Sequence, residues 1–136
     1  MEPYIHKVHY SETDKMGVVH HSNYIRWMEE ARVAYLDQIG AGFAEMEARG
    51  ILSPVVALEC RYLRPCRFDD RVRITVRLTE FKGVRLRVAS DMFNETSGEL
   101  VFTGTSDHCF TDAEGRLIAL KKTHPDLDAA LRAAVL

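Results

Sequence analysis

An α+β fold, one antiparallel sheet wrapped around a single long helix, is what this chain predicts. Three observations carry it: one long amphipathic segment after residue 21, consecutive alternating segments after Pro54, and short turn-forming breaks between them. A helix that needs cover on most of its surface and a sheet that needs a layer on one face satisfy each other.

The elements follow in order. Residues 4–10 hold enough β-formers for a short first strand. Ser22 or Asn23 offers an N-cap for a helix running to about Ile39. Its buried stripe is expected at Ile25, Met28, Ala31, Ala34, Tyr35 and Ile39, with Arg26, Glu29, Glu30, Arg32, Asp37 and Gln38 mainly on the polar side. Gly40 and Gly42 end that helix, and Phe43 to Arg49 forms a second, short one closed by Gly50.

Beyond Pro54 the pattern changes to strands. Arg71 to Thr79 is the clearest, with Val72, Ile74, Val76 and Leu78 on one face and Arg71, Arg73, Thr75, Arg77 and Thr79 on the other. Val55 to Leu63, Val84 to Phe93, Leu100 to Phe110 and a short Leu117 to Leu120 complete an expected antiparallel meander, joined by Arg64-Pro65, Lys82-Gly83, Glu95 to Gly98 and Asp112 to Gly115. Pro125 and Asp126 start a last helix that places Leu127, Leu131 and Val135 on one side.

The length of 136 residues fits a single domain over residues 1–136. A hydrophobic share of 46% and a charged share of 28% are those of an ordinary globular protein. With a net charge of -2 there is no electrostatic footprint for nucleic acid. Cys60, Cys66 and Cys109 form no CxxC pair and read as free thiols in a reducing compartment, with cytoplasm the expectation. The N-terminus lacks the pattern of an export signal, and no apolar run is long enough for a membrane span. Edge strands and one free sheet face lead us to expect a homodimer.

Chemistry narrows by elimination. No GxSxG elbow, phosphate-cradling glycine loop or GxGxxG is present, which argues against serine-elbow, nucleotide-hydrolysing and dinucleotide classes. His6 and His9 are expected on opposite faces of a strand, and adjacent His20 and His21 share one ion poorly, so no metal site is expected. None of the cysteines lies at a helix start that would favour its thiolate. Asp14 stands out. In its Thr-Asp-Lys turn it can simply cap backbone N–H groups, or it can act as a carboxylate poised over the N–H groups that open the long helix. Gly17 permits close backbone approach, Val18 and Val19 can line a dry pocket, and His21 sits at the mouth of the helix.

The run YSETDKMGVVHHSNYIRWMEEAR resembles the signature of hotdog-fold acyl-CoA thioesterases of the 4-hydroxybenzoyl-CoA thioesterase type, and is most similar to the bacterial subgroup associated with the Tol-Pal system. The resemblance implies a hotdog fold, dimers paired into tetramers (a homodimer or homotetramer), active sites at the subunit interface, and hydrolysis of an acyl-CoA thioester without metal or other cofactor. It places the catalytic carboxylate on Asp14 and the subgroup's histidine on His21, with the carbonyl-polarising N–H at His21 or its neighbours. Gly17, Val18, His20, Asn23 and Tyr24 become substrate-side residues, and Lys82 with nearby Arg85 the expected ligands of the CoA phosphates. His20 departs from the subgroup, which often has Tyr there, and bears on substrate preference. Acyl-carrier protein is a second expected thioester carrier. A non-hydrolytic acyl-binding module and a hotdog dehydratase or hydratase are the alternatives.

Overall fold

The computed structural model describes residues 2–136. Strand β1 spans Tyr4–Lys7, followed by a 3-10 turn at Tyr10–Glu12 and the long helix α1 at His21–Gln38. Helix α2 (Phe43–Ala48) leads into β2 (Val55–Tyr62), β3 (Arg71–Phe81), β4 (Arg85–Asn94) and β5 (Leu100–Cys109), and the chain closes with α3 (Leu120–Thr123) and α4 (Pro125–Ala134).

The five strands form one sheet in the order β1-β3-β4-β5-β2, with every pairing antiparallel. The expected meander holds for β3, β4 and β5 only. Strand β1 occupies the open edge of β3, with Tyr4 opposite Ile74, so β2 crosses to the far edge and pairs with β5, placing Leu58 opposite Ser106 and Tyr62 opposite Phe102. Leu117–Leu120 is not a strand: Leu117 makes one isolated bridge to Thr111, and fully buried Leu120 opens α3. Burying Leu120 beside Leu127 and Leu131 requires the chain to turn inward there.

Helix α1 differs from expectation in two ways. Its cap is His20, whose Nδ1 accepts the Ser22 N–H at 3.2 Å, not Ser22 or Asn23. Its buried side is wider and rotated, with Tyr24, Trp27, Met28, Ala31, Arg32, Tyr35 and Leu36 inside while Ile25 is exposed. A helix covered by a curved sheet on one side and by its own N-terminal loop on another buries more than one stripe. Two apolar clusters result. Trp27, Met28 and Ala31 pack with Val72, Ile74, Met92 and Phe102, while Tyr35 and Leu36 pack with Leu78, Val88, Phe110 and the α4 leucines. Val135, expected on that last stripe, is largely exposed.

The opening of α1 is fixed by one carboxylate. Glu12 Oε1 accepts the His9 N–H at 2.7 Å and lies 2.9 Å from His6 Nε2, and Oε2 accepts the indole N–H of fully buried Trp27 at 2.8 Å. Its backbone carbonyl takes the His20 N–H and the Asn23 side-chain amide, both at 2.9 Å. Burial alone would raise the Glu12 pKa, but the His6, His9 and Trp27 donors together outweigh it and hold it below the usual 4.5. A depressed carboxylate stabilises the fold fully above its unfolded pKa, and that contribution is lost as pH falls through the folded value.

Glu12→Gln should therefore lower unfolding free energy by about 1–3 kcal/mol at neutral pH, because an amide cannot accept on both sides. Urea melts of both proteins across pH should show the gap constant above about pH 5 and narrowing below about 4.5. A gap that grows on acidification would contradict this account of Glu12.

Candidate active site

The segment after Glu12 is a tight β-turned loop. Thr13 bridges to Val19, the Asp14 N–H donates to the Val18 carbonyl at 2.8 Å, and Gly17 adopts φ +78 and donates to the Asp14 carbonyl at 3.0 Å. Only glycine takes that conformation without strain, which is why the loop closes at this position. Asp14 Oδ1 accepts the Met16 N–H at 2.8 Å, so one oxygen does the turn-capping that its sequence context suggests. The loop is tied to the connection between β2 and β3 by Val19, whose N–H donates to the Cys66 carbonyl at 2.8 Å.

Asp14, Val18, His21 and Tyr24 line one cleft of about 300 Å³, together with Tyr62, Arg64 and Pro65. His21 is the first residue of α1. The Ser22 N–H is taken by His20 and the Asn23 N–H by the His20 carbonyl, whereas among the described residues the His21 N–H has no acceptor. Such a free first-turn N–H carries the positive end of the helix dipole. Tyr62 O–H donates to the His21 carbonyl at 3.0 Å, and the rings of Tyr24, Tyr62 and Phe102 pack at 5.2–5.3 Å. Tyr24 is buried, its hydroxyl accepts the Cys66 N–H, and burial keeps it protonated far above the usual tyrosine range.

The remaining expected site residues fall elsewhere. Gly17, His20 and Asn23 do not line the cleft: Gly17 shapes the loop, His20 caps α1 with its ring 4.3 Å from that of His21, and Asn23 braces the helix start on Glu12. Lys82 and Arg85 share a second cleft, of about 240 Å³, where Lys82 Nζ pairs with Glu80 at 2.8 Å. That cleft shares no lining residue with the first. Along β4, Arg85 lies seven residues from Met92, the β4 partner of Phe102 in the Tyr62 row. At ~3.3 Å per residue this puts Lys82 and Arg85 roughly 23 Å along the sheet from the Tyr62 side of the first cleft.

The sequence reading also missed contributors. Tyr62 closes the cleft from β2, and exposed Arg64, paired with Glu99 at 2.9 Å, is the cation at its rim. Arg64-Pro65 carries only a turn signal in sequence. His6 and His9 do not lie on opposite strand faces, because β1 ends at Lys7; their rings are 5.1 Å apart, and their nitrogens and a Glu12 oxygen all fall within 4.8 Å of one another. A cation there would have to displace the donors that Glu12 already holds.

Comparison with known proteins agrees with the architecture. Residues 8–135 match the family model of the thioesterase-like superfamily. The Bacillus subtilis protein YneP, provisionally named an acyl-CoA thioesterase, is 33% identical over 129 residues, 94% of this chain and 93% of its own. The crystal structure of the DHNA-CoA thioesterase from Staphylococcus aureus superposes with a TM-score of 0.92 at 32% identity, covering 97% of this chain and 89% of that one. Escherichia coli YbgC, an acyl-CoA thioester hydrolase, is 30% identical over 80 residues, 59% of this chain and 60% of its own. With its helix-and-sheet arrangement and a family match over nearly its whole length, the chain belongs to the thioesterase-like superfamily of hotdog-fold proteins.

Proposed function

We propose that the protein hydrolyses an acyl-CoA thioester to the free acid and CoA, with Asp14 as the reacting carboxylate. The observation that supports this reading most is one cleft lined by Asp14 and by His21, whose backbone N–H has no acceptor. A thioester carbonyl oxygen seated on that N–H gains negative charge as its carbon is attacked, and one such donor is worth about 2.7–4 kcal/mol. Asp14 either attacks the carbon itself, forming an anhydride that water opens, or takes the proton of an attacking water. Both routes release the CoA thiol and consume one water. The His21 ring, exposed at the cleft mouth, handles the proton or orients the water.

Val18 and Tyr24 form the pocket wall, and Gly17, His20 and Asn23 hold the loop and helix start in place. The chain is read as one domain, resembling through its Tyr10–Arg32 motif the 4-hydroxybenzoyl-CoA thioesterase type and its Tol-Pal-associated subgroup, and as resident in the cytoplasm, in keeping with its unpaired thiols. No helix among the described residues is long and apolar enough to cross a membrane.

The same reading makes the protein a homodimer that pairs further into a homotetramer. The edge strand β2 and its extension expose Val55, Val56, Leu58, Tyr62 and Leu63, each 43–52% accessible, and a second copy is the partner such a surface fits. Because Lys82 and Arg85 lie far from the Asp14 cleft of their own protomer, we assign them to CoA phosphates bound at another subunit's cleft. Arg64 serves the cleft of its own protomer. Acyl-carrier protein is the second carrier this arrangement accommodates.

Asp14→Asn keeps an Oδ1 for the Met16 N–H, so the urea midpoint should move by no more than about 0.5 kcal/mol in unfolding free energy. Thiol release from a panel of acyl-CoA esters should fall about 10²- to 10⁴-fold; near-normal turnover by the folded variant would remove Asp14 from the chemistry. Lys82→Ala should raise KM for CoA esters about fivefold, an exposed charge contact being worth up to ~1 kcal/mol. It should leave a short N-acetylcysteamine thioester unaffected, and equal changes for the two substrates would refute the phosphate contact.

A further inference from the structure

Helix α1 carries a buried cation that the chemistry above does not use. Arg32 is only 6% exposed, its guanidinium lies over the Phe43 ring at 5.4 Å, and Nη1 is buried without a hydrogen-bond partner. Facing the same small cavity is His108, fully buried on β5, whose Nε2 is 2.7 Å from Ser106 Oγ and whose Nδ1 is likewise unpartnered. Apolar Ile25, Met28 and Leu58 form the rest of the wall, and the cavity measures about 60 Å³. A buried charge left unpaired is strongly unfavourable, so two orphaned nitrogens on residues that line one cavity point to a ligand that completes them.

The kind of ligand follows from the groups. Burial, then the Arg32 charge, push the His108 pKa down to about 4; Asp107 pulls the other way, as does the Ser53 carbonyl, which closes no hydrogen bond to Nδ1. At neutral pH His108 is therefore a neutral ring, and in the tautomer in which Nε2 accepts from Ser106 its Nδ1–H is left as a donor. Burial lowers the Arg32 pKa and exposed Glu29 at the rim raises it, but arginine keeps its charge near neutrality. One cation and one neutral donor at a carboxylate-sized space match a carboxylate.

The cavity and the first cleft are built on the same two elements. Both are lined by residues of α1 and β2, His21 and Tyr62 at one, Arg32 and Leu58 at the other. With a rise of ~1.5 Å per residue Arg32 is about 16 Å from His21, and helical side chains lean back towards the N-terminus, leaving roughly 10 Å for an acyl chain of about six carbons. We propose that this cavity is a specificity site in which Arg32 and His108 hold a carboxylate at the far end of the acyl group, so that the preferred substrate is a dicarboxylic acid monothioester. The assignment rests on the thioester-hydrolase reading.

The deciding experiment compares adipoyl-CoA with hexanoyl-CoA, equal in length and differing at the far end, by thiol release. Wild type should favour adipoyl-CoA roughly ten- to a hundredfold in kcat/KM, the range expected of a charged hydrogen bond, and Arg32→Met should reverse the ratio. Equal turnover of the two by wild type, or a preference that survives in Arg32→Met, would overturn the assignment and leave the hydrolase reading intact. Hydrolysis of no thioester in a broad panel would remove the hydrolase reading itself, and the specificity site with it. Should Arg32→Met fail to fold, Arg32→Lys retains the charge but not Nη1 and should cut the preference at least threefold; an unchanged ratio would count against the site.

Discussion

The Glu12 carboxylate gathers donors from His6, from the His9 backbone and from Trp27, and the Glu12 carbonyl gathers two more from His20 and Asn23. These contacts join the end of β1, the 3-10 turn and the first turn of α1 into one unit. The Asp14 loop leaves that unit at Thr13 and returns to it at His20, so its ends are fixed while its tip is free to line a cleft. Preorganisation of this kind would hold the carboxylate and the backbone donor proposed for the chemistry at a fixed separation, where misplacement by ~1 Å can cost 10²-fold in rate. Because every donor is matched to an acceptor, the buried polar cluster stabilises the loop instead of straining it.

How much of this was legible in the sequence depended on whether a signal was local. Alternation at Val72, Ile74 and Leu78 revealed β3, and the Asp14–Gly17 spacing revealed the loop, because both are written within a few residues. The position of β2 at the far edge was not legible, since strand order is set by β1 taking the edge of β3, a contact across almost seventy residues of chain. Arg32 was assigned to the polar side of α1, where its charge would normally put it; only the wrap of the sheet and Phe43 around that side buries it. Glu12 carries no local sequence signal of its own. Its partner Trp27, fifteen residues on and inside α1, gives it a role that spacing rules do not describe.

The two ends of the sheet are chemically unlike, and this bears on assembly. At the Tyr62 end, aromatic rings and the Asp14 loop form an apolar cleft; at the Arg85 end, Lys82, Arg85 and Arg87 alternate with Glu80 and Asp107. A CoA ester is itself two-ended, with an apolar acyl group and a phosphate-bearing nucleotide. Within one protomer the matching surfaces are separated along the strands, whereas an antiparallel arrangement of two copies about a two-fold axis brings the basic end of one towards the apolar end of the other. Exposure of apolar side chains along β2 is the feature that supports the proposed association of two copies.

Helix α1 then does two jobs through one periodicity. Its first turn presents the His21 N–H to the cleft, and residues 25, 28, 29 and 32, three and four apart, continue the same face to the cavity at Arg32. Gly104 suits this seam: a Cβ there would sit 2.9 Å from Met28 Sδ and Cε and from Phe102 Cε1, so those side-chain ends would have to shift. Arg32 lies one turn beyond Met28, and Ser106 and His108, which line the same cavity, lie two and four residues beyond Gly104 on the same side of β5. One packed seam thus carries both the helix start and the buried arginine, and a change of volume at Met28 is felt in close-packed surroundings on either side of it.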